Sequence, residues 1–392
     1  MEINSKLKSY TYPFLAMVNL FGRAYKKEDL LRRIGNVDQV GGVKIIELTE
    51  SVERGVRTAI VRTGELNFLV AIDRAMDIVN ADYKGIPLAF ISPTGIAAPS
   101  FFEPEGLGWT RGFPGGLLTT CGLTYAGAPT IDQGEQLGLH GRISYSPAKL
   151  IFAGGYWKND EYTIALEGEA KEAVIFGANL TIRRRLEATL GGKRIIIKDK
   201  VTNEGWSRQP LMMIYHMNFG FPVLDSNSKL VSTSHLFFPR DGEAKAGAEK
   251  FNEFQNPTKG FNEKVYIHDL LADKDGYAYS AVINKKLLGG LGTYIKIRKK
   301  DLSKLIEWKM MGEGTYVLGM EPSNGFVMGR DRDRALGTLQ YIEPQEEKEF
   351  FVETGVLEGE EINSYEEMVY GITGKEKPEM VEDVREFLKK VK

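Results

Sequence analysis

The chain has 392 residues but one cysteine, Cys121, and only four histidines. A lone cysteine excludes an intramolecular disulfide framework and any zinc site built on several thiolates. It also fits a reducing compartment. No apolar run reaches the roughly 18 residues of a membrane helix, and the stretch Phe14 to Phe21 lacks the flanks of a signal peptide. An excess of one charge is missing too: 51 Lys and Arg face 53 Asp and Glu, and neither sign gathers in blocks. The basic footprint that nucleic acid or an anionic membrane requires is therefore absent. No repeat of 20–50 residues points to a propeller or solenoid, and no long βαβ alternation points to a Rossmann or TIM architecture. Gly289-Gly-Leu-Gly opens no helix, and Gly112-Phe-Pro-Gly-Gly reads as a turn; neither is a phosphate loop. These absences leave a cytoplasmic protein whose expected partners are a small molecule and, at most, further copies of itself.

What is present is strand pattern. Residues 1–40 form an extension in which Leu30, Leu31 and Ile34 lie at helical spacing and Gly35 follows as a stop. From Val43 the apolar period becomes that of strands, and residues 41–375 read as one domain. The clearest local structure is Asn179–Leu190, then Gly191-Gly192, then Lys193–Val201: two β-rich runs joined by residues that tolerate positive φ. Further runs recur at 211–221, 277–283, 292–297, 304–310, 315–320, 337–342 and 348–354. Only 376–392 looks helical again, with Met380, Val381, Val384, Phe387 and Leu388 in a stripe. Fifteen or more strands with few helices predict an all-β fold, a large sandwich of two or more antiparallel sheets with short N- and C-terminal helices.

Within that pattern a few polar residues interrupt apolar strands. In Leu211-Met-Met-Ile-Tyr-His-Met-Asn-Phe, strand parity puts Met212, Ile214, His216 and Asn218 on one face. A satisfied core pair and a general acid both fit that position. Glu321 ends Tyr316-Val-Leu-Gly-Met-Glu-Pro; desolvation there would raise its pKa and sharpen it as a base, whereas a solvated strand-end charge is the plainer alternative. His140 sits between glycine-rich turns in Gly138-Leu-His-Gly-Arg, with Arg142 close behind. Arg74 and Arg111 are placed where a guanidinium fork can bind vicinal hydroxyls, or else hold a carboxylate such as Asp73 or Asp77. Trp308 suits either stacking on a sugar face or core packing. Lys309 points to the opposite side of that strand, and Asn324 follows the Glu321 turn. His235 and His268 read as structural or surface residues in loop-like contexts.

In order, these segments resemble the aldose 1-epimerase (galactose mutarotase-like) superfamily. Lys200-Val-Thr-Asn-Glu-Gly followed by Pro210-Leu-Met-Met-Ile-Tyr-His-Met-Asn-Phe is similar to the segment carrying those enzymes' histidine. Leu139-His-Gly resembles their earlier histidine-glycine motif, and Met320-Glu-Pro the strand with their catalytic glutamate. Leu339-Gln-Tyr-Ile-Glu-Pro resembles the closing turn. Asp73-Arg-Ala-Met-Asp-Ile, Gly108-Trp-Thr-Arg-Gly-Phe-Pro-Gly-Gly-Leu and Gly319-Met-Glu-Pro-Ser-Asn are similar to a branch of unknown function, the DUF4432 group. The resemblance implies a β-supersandwich and a carbohydrate epimerase acting on a monosaccharide. His216 would protonate the ring oxygen and Glu321, on the other side of a sugar ring, would take the anomeric proton. His140 would polarise the ring oxygen, and Arg74, Arg111, Arg142, Asn218, Lys309 and Asn324 would bind hydroxyls. No cofactor and no metal would be needed. The typical hydroxyl-binding aspartate has no evident counterpart, Asp225 being the nearest guess, so the sugar stays open. Two alternatives remain at this level: another isomerase or lyase using a divalent metal on the two histidines and Glu321, and a sugar-binding module without turnover.

Overall fold

A computed structural model describes residues 17–391; residues 1–16, which include the start of the Phe14 to Phe21 stretch and the first part of the N-terminal extension, lie outside the described residues. Three sheets carry the architecture. The first is antiparallel and eight-stranded, in the order 149–158, 161–173, 179–189, 194–203, 347–358, 291–298, 277–284 and 228–232. Its centre is the expected hairpin, with Arg184 opposite Asp199 and Leu186 opposite Ile197. Gly191 makes the turn at φ +77°, and its N–H donates to Thr63 O at 2.7 Å. The second sheet runs 379–380, 234–239, 264–270, 304–312, 315–323, 214–216 and 119–121, with 218–219 also paired to 315–323. Five strands, 42–47, 57–62, 66–71, 77–83 and 86–87, make the third. The all-β expectation therefore holds.

Strand parity divides the second sheet between two apolar bodies. Met213, Tyr215, Met217, Leu305, Leu318 and Met320 face the main core, which also takes side chains from both other sheets. Met212, Ile214, Leu236, Ile267 and Ile306 face a smaller cluster capped by Trp109 and Phe113. His216 and Glu321 lie on this second face. No helix among the described residues is long and apolar enough to cross a membrane, which says nothing of a membrane β-barrel.

Three expectations are corrected. The strand expected at 337–342 is mostly absent. A helix, Arg330–Leu336, ends at Gly337 in the left-handed conformation (φ +72°), and only Tyr341–Ile342 pairs, with Gln209–Pro210. A second helix, Glu360–Thr373, buries Ile362, Tyr365 and Val369 against the edge of the first sheet. His235 and His268 are not in loops: they sit on strands 234–239 and 264–270, where His268 is buried against Glu307 at 3.1 Å and His235 meets Asp269 at 2.6 Å. The terminal helices are present as Lys27–Leu31 and Val384–Lys390.

Candidate active site

The strand carrying His216 is held between two neighbours. Thr119 pairs with His216 on one side. On the other, Ile214 pairs with Ser323 and Asn218 with Gly319, a register that sets His216 opposite Glu321. The result is direct contact: His216 Nε2 lies 3.3 Å from Glu321 Oε1. The two groups expected to flank a sugar ring instead stand side by side, because adjacent antiparallel strands bring same-face neighbours together. On the other ring nitrogen, Nδ1 is 2.6 Å from Asn218 Oδ1.

Rings enclose the pair. Phe113 is 5.1 Å from the His216 ring, Trp308 5.4 Å, His140 5.5 Å and Trp109 6.2 Å, centroid to centroid. His216 keeps 6% of its surface and Glu321 2%, so the pair is almost closed off from solvent. His140 has φ +58°, a conformation its neighbour Gly141 shares; it turns the ring against Trp109, at 4.8 Å. His140 Nδ1 is buried with no hydrogen-bond partner, and Glu321 Oε1 has only the His216 ring nitrogen beside it, at 3.3 Å. An unsatisfied polar atom is costly in a core and calls for an explanation.

Burial dominates the electrostatics and drives each group to its uncharged form. It pulls His216 down to about 4, with the Asn218 contact opposing, and lowers His140 well below 6.5. It pushes Glu321 well above 4.5, with Glu263 adding to the rise and Arg240 opposing it. Glu263 and Arg240 were not singled out from sequence. They pair with each other at 2.8 Å, and Glu263 accepts the Trp308 Nε1–H at 2.7 Å, fixing that ring beside His216. Nothing in a polar strand edge marks such residues in advance.

Other sequence candidates are placed elsewhere or already committed. Arg74 is buried; it donates to the carbonyls of Ser144, Ala97 (2.7 Å) and Gly112 (3.2 Å) and stacks on Tyr145, 3.9 Å from its centroid. It is a post that ties the Trp109–Phe113 turn to the segment after His140, and its full burial keeps it from a substrate hydroxyl. Asp73 and Asp77 are held by Arg57 and Arg184 instead. Lys309 faces away, donating to Lys250 O and Glu253 O. Asn324 spends its amide on Met213 N–H and Leu211 O, and Asn218 likewise has none to spare. Asp225 only caps its own turn. Arg111 is exposed and pairs with Glu103 at 3.1 Å. Arg142 lines a cleft of about 810 Å³ with Tyr145, Lys171, Arg208 and Arg330, whose walls include neither His216 nor Glu321. No group of three or more His, Cys, Asp or Glu side chains among the described residues could hold a metal ion.

With this geometry in view, the comparisons are decisive about family. Residues 53–356 match the family described as a domain of unknown function, DUF4432. The chain belongs to that family. Its fold is that of the aldose 1-epimerases and galactose mutarotase-like proteins. A candidate aldose 1-epimerase from Klebsiella pneumoniae subsp. pneumoniae MGH 78578 superposes with a TM-score of 0.83 at 25% identity, over 89% of this chain and 93% of that one. A galactose mutarotase-like protein from Clostridium acetobutylicum gives 0.53 at 14% identity, over 81% and 99%. Galactose 1-epimerase from Lactobacillus acidophilus NCFM gives 0.51 at 11%, also over 81% and 99%. The last two are alike in fold alone. A search of the curated proteins returns no match.

One glycine makes the pair possible. A Cβ at Gly319 would stand 2.3 Å from Glu321 Oε1 and 2.9 Å from Trp308 Cβ, so the carboxyl folds back into the space a side chain would take. Gly319→Ala should displace Glu321 from His216 and lower any turnover of this site about 100-fold, the scale of a 1 Å misplacement. Turnover assayed beside a crystal structure of the variant checks this; unchanged turnover with the carboxyl moved would show that its position does not matter.

Proposed function

We propose that this member of DUF4432 is a carbohydrate epimerase that interconverts the anomers of a free or modified monosaccharide. The observation that carries the reading is the 3.3 Å contact between His216 Nε2 and Glu321 Oε1, with one ring nitrogen and one carboxyl oxygen side by side. In a cyclic sugar the ring oxygen and the anomeric hydroxyl share one carbon. Two proton-transfer groups at neighbouring positions address both oxygens from the edge of the ring, without having to flank it.

The chemistry balances on those two groups. One gives a proton to the ring oxygen as its bond to C1 breaks, and the other takes the anomeric hydroxyl proton as the carbonyl forms. Rotation about C1–C2 presents the other face, and the reverse transfers close the ring. No electrons leave the sugar. His140 Nδ1, without a partner, is a further polar contact for the substrate, and Trp308 offers an aromatic face to sugar C–H groups. The superposition on the Klebsiella candidate aldose 1-epimerase supports the same class of reaction.

Saturation-transfer NMR on a panel of free aldoses, deoxy sugars and uronic acids tests the proposal. Anomer exchange well above the buffer rate is expected for at least one sugar. Exchange at the buffer rate for the whole panel would end it.

A further inference from the structure

We infer that Asn218 is a positioning residue that locks His216 in the Nδ1–H tautomer, making His216 Nε2 the proton acceptor and Glu321 the proton donor of the pair. This rests on the anomerisation reading and reverses the roles that the resemblance to mutarotases implies.

The orientation of the Asn218 amide is decided by its surroundings. Its Nδ2 lies 3.1 Å from Gly115 O, 3.1 Å from Gly116 O and 2.9 Å from His216 O. Turned over, the amide oxygen would face three carbonyl oxygens with no proton between them. The oxygen therefore points at His216, 2.6 Å from Nδ1. An amide oxygen only accepts, so Nδ1 must carry the hydrogen. A neutral ring protonated at Nδ1 has its lone pair on Nε2, and that lone pair faces Glu321.

One proton must lie between Nε2 and the Glu321 carboxyl, since a lone pair against a bare carboxylate would repel. Its home is set by what supports charge. Apart from His216, no hydrogen-bond donor and no cation within salt-bridge distance reaches Glu321 among the described residues; the Arg240 guanidinium is taken by Glu263 and Asp241. An imidazolium–carboxylate pair in that setting has its desolvation cost with little compensation. Asn218 offers His216 a neutral oxygen, which fixes the tautomer but does not hold an imidazolium as an aspartate would. The resting proton is therefore on Glu321. When the sugar arrives, the Glu321 O–H protonates the ring oxygen as the C1–O bond breaks, and Nε2 takes the anomeric proton. The ring-opened state leaves carboxylate beside imidazolium, and closure returns both protons.

The test begins with the wild-type protein and no sugar. In 15N-histidine-labelled protein, long-range 1H–15N correlation should show His216, identified by the loss of its signals in His216→Gln, with Nδ1 protonated and Nε2 bare between about pH 6 and 8. An Nε2–H tautomer, or a doubly protonated ring, overturns the inference. A second measurement uses turnover: Asn218→Leu should lower kcat about 100-fold with KM nearly unchanged, whereas a raised KM with kcat intact would make Asn218 a substrate ligand and overturn the positioning role. Asn218→Asp should keep the Nδ1–H but draw the second proton to His216, a doubly protonated ring visible in the same spectrum. If no sugar is turned over, the anomerisation reading fails while the wild-type spectrum still decides the tautomer.

Discussion

Glu321→Gln is expected to cut anomer exchange by about 10²–10⁴-fold, the usual contribution of a positioned proton-transfer group, and at the same time to make the protein more stable. The first half follows because glutamine keeps the shape and can still donate an N–H to His216 Nε2, yet has no proton to give to a ring oxygen. The second half follows from linkage. Glu321 is held well above 4.5 by burial, so above that value the folded state binds a proton the unfolded chain has released. Stability from this group is present at low pH and is lost as pH rises through 4.5 toward the folded value. Glutamine removes that cost. The gain in Tm should be clear at pH 7 and should shrink toward nothing near pH 4, a pattern calorimetry at the two pH values reads directly. A variant less stable than wild type at pH 7 would mean that the carboxyl is ionised and paired in the fold, against the assignment made here.

His216 shows the opposite dependence. Burial lowers it from 6.5 to about 4, so the unfolded chain binds the extra proton first as pH falls, and stability is lost between about 6.5 and 4. His140, lowered in the same direction, adds to that loss. Turnover should stay level through neutral pH and decline near pH 4, where a second proton enters the pair; the apparent value belongs to the coupled pair, not to either residue alone.

The sequence made the His216 strand legible because one rule was enough: parity placed His216 and Asn218 on a single face, and they share it in the fold. Glu321 was legible for another reason, as a carboxylate that ends the apolar run Tyr316–Met320 just before a proline. What parity could not supply was the separation of the two strands. A ring-sized gap and a direct contact are equally compatible with two polar residues on apolar strand faces, and only the 315–323 register chooses between them. The arginines misled for a related cause. Arg74 was read as a ligand for hydroxyls, but its fate depended on three carbonyls, at 97, 112 and 144, that no local pattern brings together. The helix Glu360–Thr373 was missed although Ile362, Tyr365 and Val369 carry helical spacing.

Arg184 could have been found and matters more than any of these for stability. In Leu180, Ile182, Arg184, Leu186 a cation occupies the inward phase of a strand; in Ile195, Ile197, Asp199, Val201 an anion occupies the inward phase of the next, and the Gly191-Gly192 turn puts them opposite each other. The fold realises that pairing in the core: Arg184 Nη2 lies 2.6 Å from Asp199 Oδ2, and Nη1 lies 3.2 Å from Asp77 and 2.8 Å from Thr120 Oγ1. Asp199 also accepts from Tyr215 OH at 2.7 Å. Tyr215 and Thr120 are cross-strand neighbours, and Tyr215 is the residue before His216, on the opposite face of its strand. One buried guanidinium thus ties the first sheet, the third sheet and the strand of the candidate catalytic histidine. Arg184→Met keeps much of the volume but takes the paired guanidinium away from two buried aspartates, and should cost about 3–5 kcal/mol. Burial already pushes Asp77 up to about 6 with Arg184 present, so that aspartate should become neutral first. Arg184→Met with Asp77→Asn and Asp199→Asn should recover part of the loss, since neutral amides tolerate the cavity better than bare carboxylates. Chemical denaturation of the single and triple variants measures both effects. A single variant within 1 kcal/mol of wild type by the same linear extrapolation would show that the network is not what holds the His216 strand in register.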